Sequence, residues 1–193
     1  MKYGLTMHNK WSQDTYLNAY WFAAKAHVDQ RYPGTQISYI MHLSFVTMEV
    51  IAALHQEAST LDADFAVQCA LLHDVIEDTD VTYQDLLLHF GSDVADAVQA
   101  LTKDLSLPTK AEQMRDSLHR IRLQPKEVWM VKLADRISNL QPPPHYWSES
   151  KCCAYLLEAQ EIYDALHTAS PVLAARLHEK IQNYSMPHSM GNS

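Results

Sequence analysis

Residues 70 to 78 read Ala70-Leu71-Leu72-His73-Asp74-Val75-Ile76-Glu77-Asp78. Working back from them, Phe65, Cys69 and Leu72 recur at three-to-four spacing behind Asp62, a side chain suited to accept from the free N–H groups at a helix start. The pattern predicts one helix that opens at Asp62 and runs on through Asp78. On such a helix His73 and Glu77 stand four residues apart, Asp74 and Glu77 three, and Asp74 and Asp78 four, so one face gathers three carboxylates and an imidazole. They crowd the C-terminal end, where the helix dipole already disfavours negative charge, and Asp80 follows directly. Such a cluster is costly unless a cation offsets it, and His plus Asp is a donor set that borderline divalent metals accept. The simpler alternative is a solvated acidic helix end with an incidental histidine. The apolar flanks Ala70-Leu71-Leu72 and Val75-Ile76 speak against it, because they half-bury the face.

The same helical period extends outward in both directions. Asp14 is expected to cap a helix reaching about Arg31 through Leu17, Tyr20, Ala24 and His27. Tyr32 to Ile40, with Pro33 and Gly34, reads as a loop, and Val46, Val50, Ile51 and Leu54 mark the next helix. Thr82-x-x-Asp85 opens a short helix that Gly91 closes, Ser92 is expected to cap another, and Thr109-x-x-Glu112 forms a capping box for a helix to about Arg122. Pro125 suits the start of a helix over Lys126 to Leu140, which Pro142-Pro143-Pro144 stops. A long helix from about Ser148 to His167 and a last one opened by Ser170-Pro171 complete the chain. No segment alternates with period two. The expectation is an all-α, single-domain bundle of about eight or more helices over residues 1–183, with 184–193 as an unpatterned tail.

Composition narrows the function. Lys+Arg 15 against Asp+Glu 23 gives a net charge of −8 over 193 residues, a poor match for nucleic acid or an anionic membrane. With 4 glycines there is no GxGxxG, no P-loop and no GxSxG elbow, so phosphate would have to be held by other means. Three cysteines (Cys69, Cys152, Cys153) cannot all pair, which suits a reducing, cytoplasmic setting, and Cys152-Cys153 reads as a pair of buried thiols on a helix. No apolar run approaches the roughly 18 residues of a membrane span, and MKYGLTMHNKW lacks the apolar centre of a signal peptide.

A second polar stripe lies in Val131-Lys132-Leu133-Ala134-Asp135-Arg136-Ile137-Ser138-Asn139-Leu140, where Lys132, Asp135 and Asn139 share a face and Leu133, Ile137 and Leu140 point away. By itself this could be an exposed face with a Lys132–Asp135 or Asp135–Arg136 ion pair. His42 stands in the uncharged run Ser38-Tyr39-Ile40-Met41-His42-Leu43, where a lone histidine is more often a satisfied core residue than a ligand. The remaining histidines show no partner pattern.

Taken together, these stretches give the chain a family resemblance. Ala26-His27-x-x-Gln30-Arg31, Tyr39-Ile40-x-His42, His73-Asp74-x-x-Glu77-Asp78-Thr79, Leu101-Thr102-Lys103, Val131-Lys132-Leu133-Ala134-Asp135-Arg136, Asn139-Leu140 and Trp147-Ser148-Glu149 occur in an order that resembles the RelA/SpoT-family alarmone hydrolase domain of HD type, over about residues 15–167. The resemblance implies that His42, His73, Asp74 and Asp135 bind a metal, usually Mn²⁺ in that family, with two octahedral positions left for water and a phosphate oxygen. It implies that Glu77 and Asp78 are the catalytic acidic pair that orients and deprotonates the attacking water. Arg31 would contact the guanine base, Asn139 the nucleoside, and Lys151 and Tyr155 the substrate phosphates. The implied reaction removes the 3′-pyrophosphate of ppGpp or pppGpp, giving GDP or GTP, with no synthetase region in the chain.

Several positions depart from the family pattern. Ser38 and Leu43 stand where prolines are common, Tyr32 stands where a basic residue often follows the arginine, and Pro142 to Pro144 stiffen a short loop before Trp147. These bear on base selectivity and affinity and remove no implied ligand. Two alternatives follow: a related HD phosphohydrolase acting on another nucleotide, such as the 2′-phosphate of NADPH, or a non-catalytic nucleotide-binding regulator.

Overall fold

A computed structural model describes residues 11–57, 61–144 and 146–184. The helices are α1 (Gln13–Ala26), α2 (Ile40–Gln56), α3 (Ala63–Leu72), α4 (Val75–Asp78), α5 (Tyr83–Phe90), α6 (Ser92–Leu101), α7 (Lys110–Arg122), α8 (Lys126–Asn139), α9 (Glu149–Leu166) and α10 (Pro171–Gln182). A 3₁₀ turn at His167–Ala169 joins the last two. Among the described residues there is no strand, only an isolated bridge between Arg31 and Ser38. The fold is all-α, as the periodicity predicts.

Capping chemistry explains most boundaries. Asp62 accepts from the Phe65 N–H at 3.0 Å, and Thr82 with Asp85 closes a reciprocal capping box. Ser170 accepts from the Leu173 N–H at 3.1 Å ahead of Pro171. Two N-caps differ from expectation, and a third keeps its residue but not its reciprocal bond. Ser12, not Asp14, caps α1, because Ser12 Oγ takes the Thr15 N–H while its own N–H goes to Asp64. Gly91 is the N-cap of α6, its φ of +85° permitting the sharp join to α5, and Ser92 is the first residue inside. In α7 the Glu112 side chain accepts from the Thr109 hydroxyl, not from its backbone N–H.

The helix expected to reach Arg31 stops at Ala26. Pro33 disfavours helical geometry at Tyr32, and the backbone groups of the loop pair across it instead. Tyr32 N–H donates to Ile37 at 2.8 Å and Tyr39 N–H to Gln30 at 3.1 Å, with Gly34 at a φ of +78° in the bend. This tight loop fixes Tyr39 and His42 at the start of α2.

Helix α8 is the axis of the bundle, packed by α2, α3, α9 and α10. Its apolar face (Val128, Val131, Leu133, Ile137) joins the core, while Lys132 and Asp135 are each only 7% exposed. The exposed-face alternative for this stripe is therefore corrected. Cys152 is buried but Cys153 is exposed, so the adjacent thiols do not share one environment. Tyr184 packs near Tyr155 with ring centroids 6.4 Å apart; residues 185–193 of the expected tail lie outside the described residues. Among the described residues no helix is long and apolar enough to cross a membrane.

Candidate active site

Three elements converge on one point: the first turn of α2 with His42, the break between α3 and α4 with His73 and Asp74, and the last turns of α8 with Asp135 and Asn139. The break is a correction to the single helix expected through Asp78. Helix α3 ends at Leu72, and Asp74 at φ −104° and ψ −1° starts a four-residue helix. His73 and Asp74 thus face α2 and α8, while Glu77 and Asp78 find other partners.

His42, His73 and Asp135 offer ligand atoms that all lie within 4.8 Å of one another. The imidazoles are 1% and 3% exposed. His73 Nδ1 donates to the Ala70 carbonyl at 2.8 Å, so Nε2 is the ring nitrogen left to face inward. That atom is buried without an aligned hydrogen bond, although Asp74 Oδ2 comes within 2.9 Å of it. His42 meets Ser138 Oγ through Nδ1 at 3.2 Å, and its Nε2 faces Asp135 Oδ1 at 3.4 Å and Asp74 Oδ2 at 3.6 Å. Donors on neighbouring positions of an octahedral ion with bonds near 2.1 Å sit about 3 Å apart. Two imidazole nitrogens and two carboxylates at these separations fit a divalent metal, whose binding would displace any proton from the imidazoles.

Outer contacts hold the carboxylates. Tyr39 donates its hydroxyl to Asp74 Oδ2 at 2.6 Å, Lys132 Nζ reaches Asp135 Oδ2 at 3.0 Å, and Asn139 Nδ2 reaches Asp135 Oδ1 at 2.5 Å. Such partners orient ligands and tune their basicity.

The acidic pair splits. Glu77 accepts from Lys103 twice, through the backbone N–H at 3.0 Å and Nζ at 2.9 Å. Asp78 accepts from Gln30 Nε2 at 2.9 Å, and Gln30 in turn accepts from His27 Nδ1 at 2.5 Å. One carboxylate therefore faces α6 and the other the α1 end, on opposite flanks of His73-Asp74. The Lys103 ammonium is close enough to Asp135 and Asp74 for both to favour its charged form.

On the remaining side lies a cavity of about 200 Å³ lined by Tyr32, Tyr39, Asn139, Trp147, Tyr155 and Tyr184, among others. Asn139 bridges cavity and carboxylate cluster, and the Tyr155 hydroxyl contacts the Asn139 carbonyl at 3.4 Å. Arg31 and Lys151 are not lining residues. Arg31 is exposed and turns Nη1 to the carbonyls of Val28 and Gln30, and Lys151 Nζ lies 4.1 Å over the Trp147 ring at the margin. Sequence reasoning missed Tyr39, Gln30, His27 and Lys103 as working groups. Tyr39 could have been read from its place three residues before His42 on a helix start; nothing in the sequence links Lys103 to Glu77.

Electrostatics follow the geometry. Burial works against the charged form of His73, but Asp74 and Asp135 outweigh it and lift the metal-free imidazole to about 9. Burial likewise raises Asp135, yet Lys132 and both histidines hold its carboxyl well below the usual range. Burial pushes Asp78 up, with Asp74 and Glu77 adding to it against the Gln30 bond. A raised imidazole stabilises the stripped protein fully below about 6.5, the unfolded value, and that contribution is lost as pH rises through about 9. A coordinated imidazole is neutral and has no such dependence. The melting temperatures of stripped and metal-loaded protein are therefore expected to diverge between about pH 6.5 and 9, at on the order of 2–4 °C per kcal/mol. Parallel curves from a thermal scan series would remove His73 from the metal site.

Comparison with known proteins identifies the family. A family model described as HD domain matches residues 19–173. The chain is 34% identical over 161 residues to the guanosine-3′,5′-bis(diphosphate) 3′-pyrophosphohydrolase MESH1 of Xenopus tropicalis, spanning 81% of this chain and 87% of the relative. Human MESH1 is 35% identical over 150 residues, spanning 75% and 80%. Among solved structures, a metazoan ortholog of SpoT, described as hydrolysing ppGpp and acting in starvation responses, superimposes with a TM-score of 0.75 at 26% identity, covering 90% of this chain and 97% of that one. An HD domain wrapped around paired imidazoles and carboxylates, matched over most of its length by these relatives, places the chain in the HD-domain family alongside the MESH1 pyrophosphohydrolases.

Proposed function

We propose that the chain is a metal-dependent guanosine-3′,5′-bis(diphosphate) 3′-pyrophosphohydrolase, converting ppGpp or pppGpp and water to GDP or GTP and pyrophosphate. The observation that carries this reading is the convergence of two inward-facing imidazole nitrogens with Asp74 and Asp135 beside an aromatic cavity of about 200 Å³. The naming of the MESH1 relatives supports the same substrate.

In this reading His42, His73, Asp74 and Asp135 hold one Mn²⁺, which when bound supplies positive charge that acidifies water and neutralises phosphate oxygens. Glu77, fixed by Lys103, orients the water and takes its proton as the oxygen attacks the 3′-linked phosphorus in line with the departing 3′-oxygen. Asp78, steadied by Gln30, guards the opposite flank. Asn139 contacts the nucleoside with Trp147 beside it, Lys151 and Tyr155 approach the substrate phosphates, and Arg31 meets the base from the cavity margin. The net charge of −8 supports a small-molecule substrate over nucleic acid, and the free cysteines support a cytoplasmic setting.

The test is pyrophosphate release from ppGpp by EDTA-stripped protein with and without added Mn²⁺, with NADPH run in parallel. Release that requires metal is the expected result. Phosphate from NADPH alone would move the substrate, and inactivity on both with stoichiometric metal bound would overturn the hydrolase reading.

A further inference from the structure

His27, at the C-terminal end of α1, is only 1% exposed, and its two ring nitrogens are used unequally. Nδ1 meets Gln30 Oε1 at 2.5 Å, while Nε2 is buried with no hydrogen-bond partner. The turn itself does not need the ring. His27 N–H donates to the Ala23 carbonyl at 3.0 Å, Gln30 N–H to the His27 carbonyl at 3.1 Å, and Tyr39 N–H to the Gln30 carbonyl at 3.1 Å. Backbone bonds thus fix residues 27 and 30 without the side-chain pair. A buried polar atom left unpaired costs stability that an apolar side chain would not, so packing alone does not account for an imidazole here.

The direction of the hydrogen bonds does. Gln30 Nε2 lies 2.9 Å from Asp78 Oδ2, and an ionised carboxylate only accepts, so the amide presents its NH₂ to Asp78 and its oxygen to His27. His27 Nδ1 must then carry a proton. Burial outweighs Gln30, Asp74 and Asp78 and holds the imidazole below its usual pKa, and a neutral ring has one proton to place. With that proton on Nδ1, the group stranded at Nε2 is a lone pair, a lesser penalty than a stranded N–H. With it on Nε2, the lone pairs of Nδ1 and Gln30 Oε1 would face each other, and the amide would turn its oxygen toward the carboxylate. The chain runs from core to surface: His27 is buried, Gln30 half-buried and Asp78 exposed. Glu77 has an ammonium and a backbone N–H to hold it, whereas Asp78 takes a neutral amide rooted in this ring.

We propose, resting on the hydrolase reading above, that His27 is a positioning residue for the reaction: its Nδ1–H orients the Gln30 amide, and the oriented amide holds the Asp78 carboxylate in place on its flank of His73-Asp74. His27 touches neither metal nor substrate and acts through Gln30.

The experiment compares His27→Leu with His27→Asn, side chains of nearly the same shape of which only asparagine can put an N–H where Nδ1 stands. Both lose the ring's contact with Tyr39, 5.2 Å between centroids, so packing alone makes leucine the better replacement. The expected result is the reverse. His27→Leu should lose about ten- to a hundredfold in kcat, the scale of a missing partner behind a working group, with KM and Mn²⁺ content unchanged and a melting temperature no lower than that of His27→Asn. His27→Asn should stay within about fivefold of the unaltered protein, the scale of one weakened neutral hydrogen bond. In a Gln30→Leu background, His27→Leu should cause no further loss, as for two residues acting in one chain. A measurement needing no variant is the nitrogen-15 correlation spectrum of the protein stripped of paramagnetic metal, which should show the His27 proton on Nδ1. A proton on Nε2, an asparagine variant no more active than the leucine one, or an additive loss in the Gln30→Leu background would each overturn the inference alone. No pyrophosphate release by the unaltered, Mn²⁺-loaded protein would overturn the hydrolase reading, and this inference with it.

Discussion

Asp135→Asn is expected to strip the metal and abolish turnover together while leaving the fold intact. Asp135 is the single α8 group that faces both imidazoles, with Oδ1 at 3.4 Å from His42 Nε2 and 3.9 Å from His73 Nε2. Its loss should exceed the 10–100-fold effect typical of partners behind a ligand. Alanine is the poorer probe. It would leave the Lys132 ammonium, 7% exposed, without its carboxylate at 3.0 Å, and breaking a buried pair from one side costs on the order of 3–5 kcal/mol. The amide keeps the volume and offers Lys132 an oxygen, and Lys132→Met in the same background removes the stranded charge altogether. Elemental analysis of the folded variant should find little metal and the pyrophosphate assay no turnover. Stoichiometric metal with near-native rates would move Asp135 out of the ligand set.

The helical architecture was legible because its signals are local. Caps such as Asp62, Thr82 and Ser170 and the stop at Pro142 lie within a few residues of what they control. The misreadings came where distant groups decide. Asp64 draws the Ser12 N–H and moves the start of α1, and the pairing of Tyr39 with Gln30 across the loop ends α1 early.

The same holds for the site. His73-Asp74 and Asp135 announced themselves as polar groups on apolar helices, but periodicity put Glu77 and Asp78 on the same face as His73. The break after Leu72 separates them, and their partners Lys103 and Gln30 come from loops 26 and 48 residues away in sequence. The contacts of Arg31 and Lys151 were beyond reach for a related reason. Both side chains are long and exposed, so their positions depend on neighbours such as the Trp147 ring that no spacing rule connects to them.

Glu77→Gln is expected to keep the metal and lose turnover by about 10²–10⁴, the scale of a missing general base. The four groups around the metal position do not bond to Glu77, whose carboxylate is held by the Lys103 N–H at 3.0 Å and Nζ at 2.9 Å. Glutamine has the same shape and can still accept from the backbone N–H, but it carries no charge to take a proton. The lost ion pair is partly solvated, with Lys103 33% exposed, so its effect on stability should stay within about 1 kcal/mol. A fall in kcat at unchanged KM and full metal content would therefore separate proton transfer from folding and from metal binding. Lys103→Met supplies the contrast: it removes the ammonium but leaves both the carboxylate and its backbone bond, so part of the activity should survive. If Glu77→Gln kept kcat within about threefold, well short of a general base, the carboxylate would be only a structural partner of Lys103. Asp78, on the opposite flank, would then be the acidic group left to accept the proton.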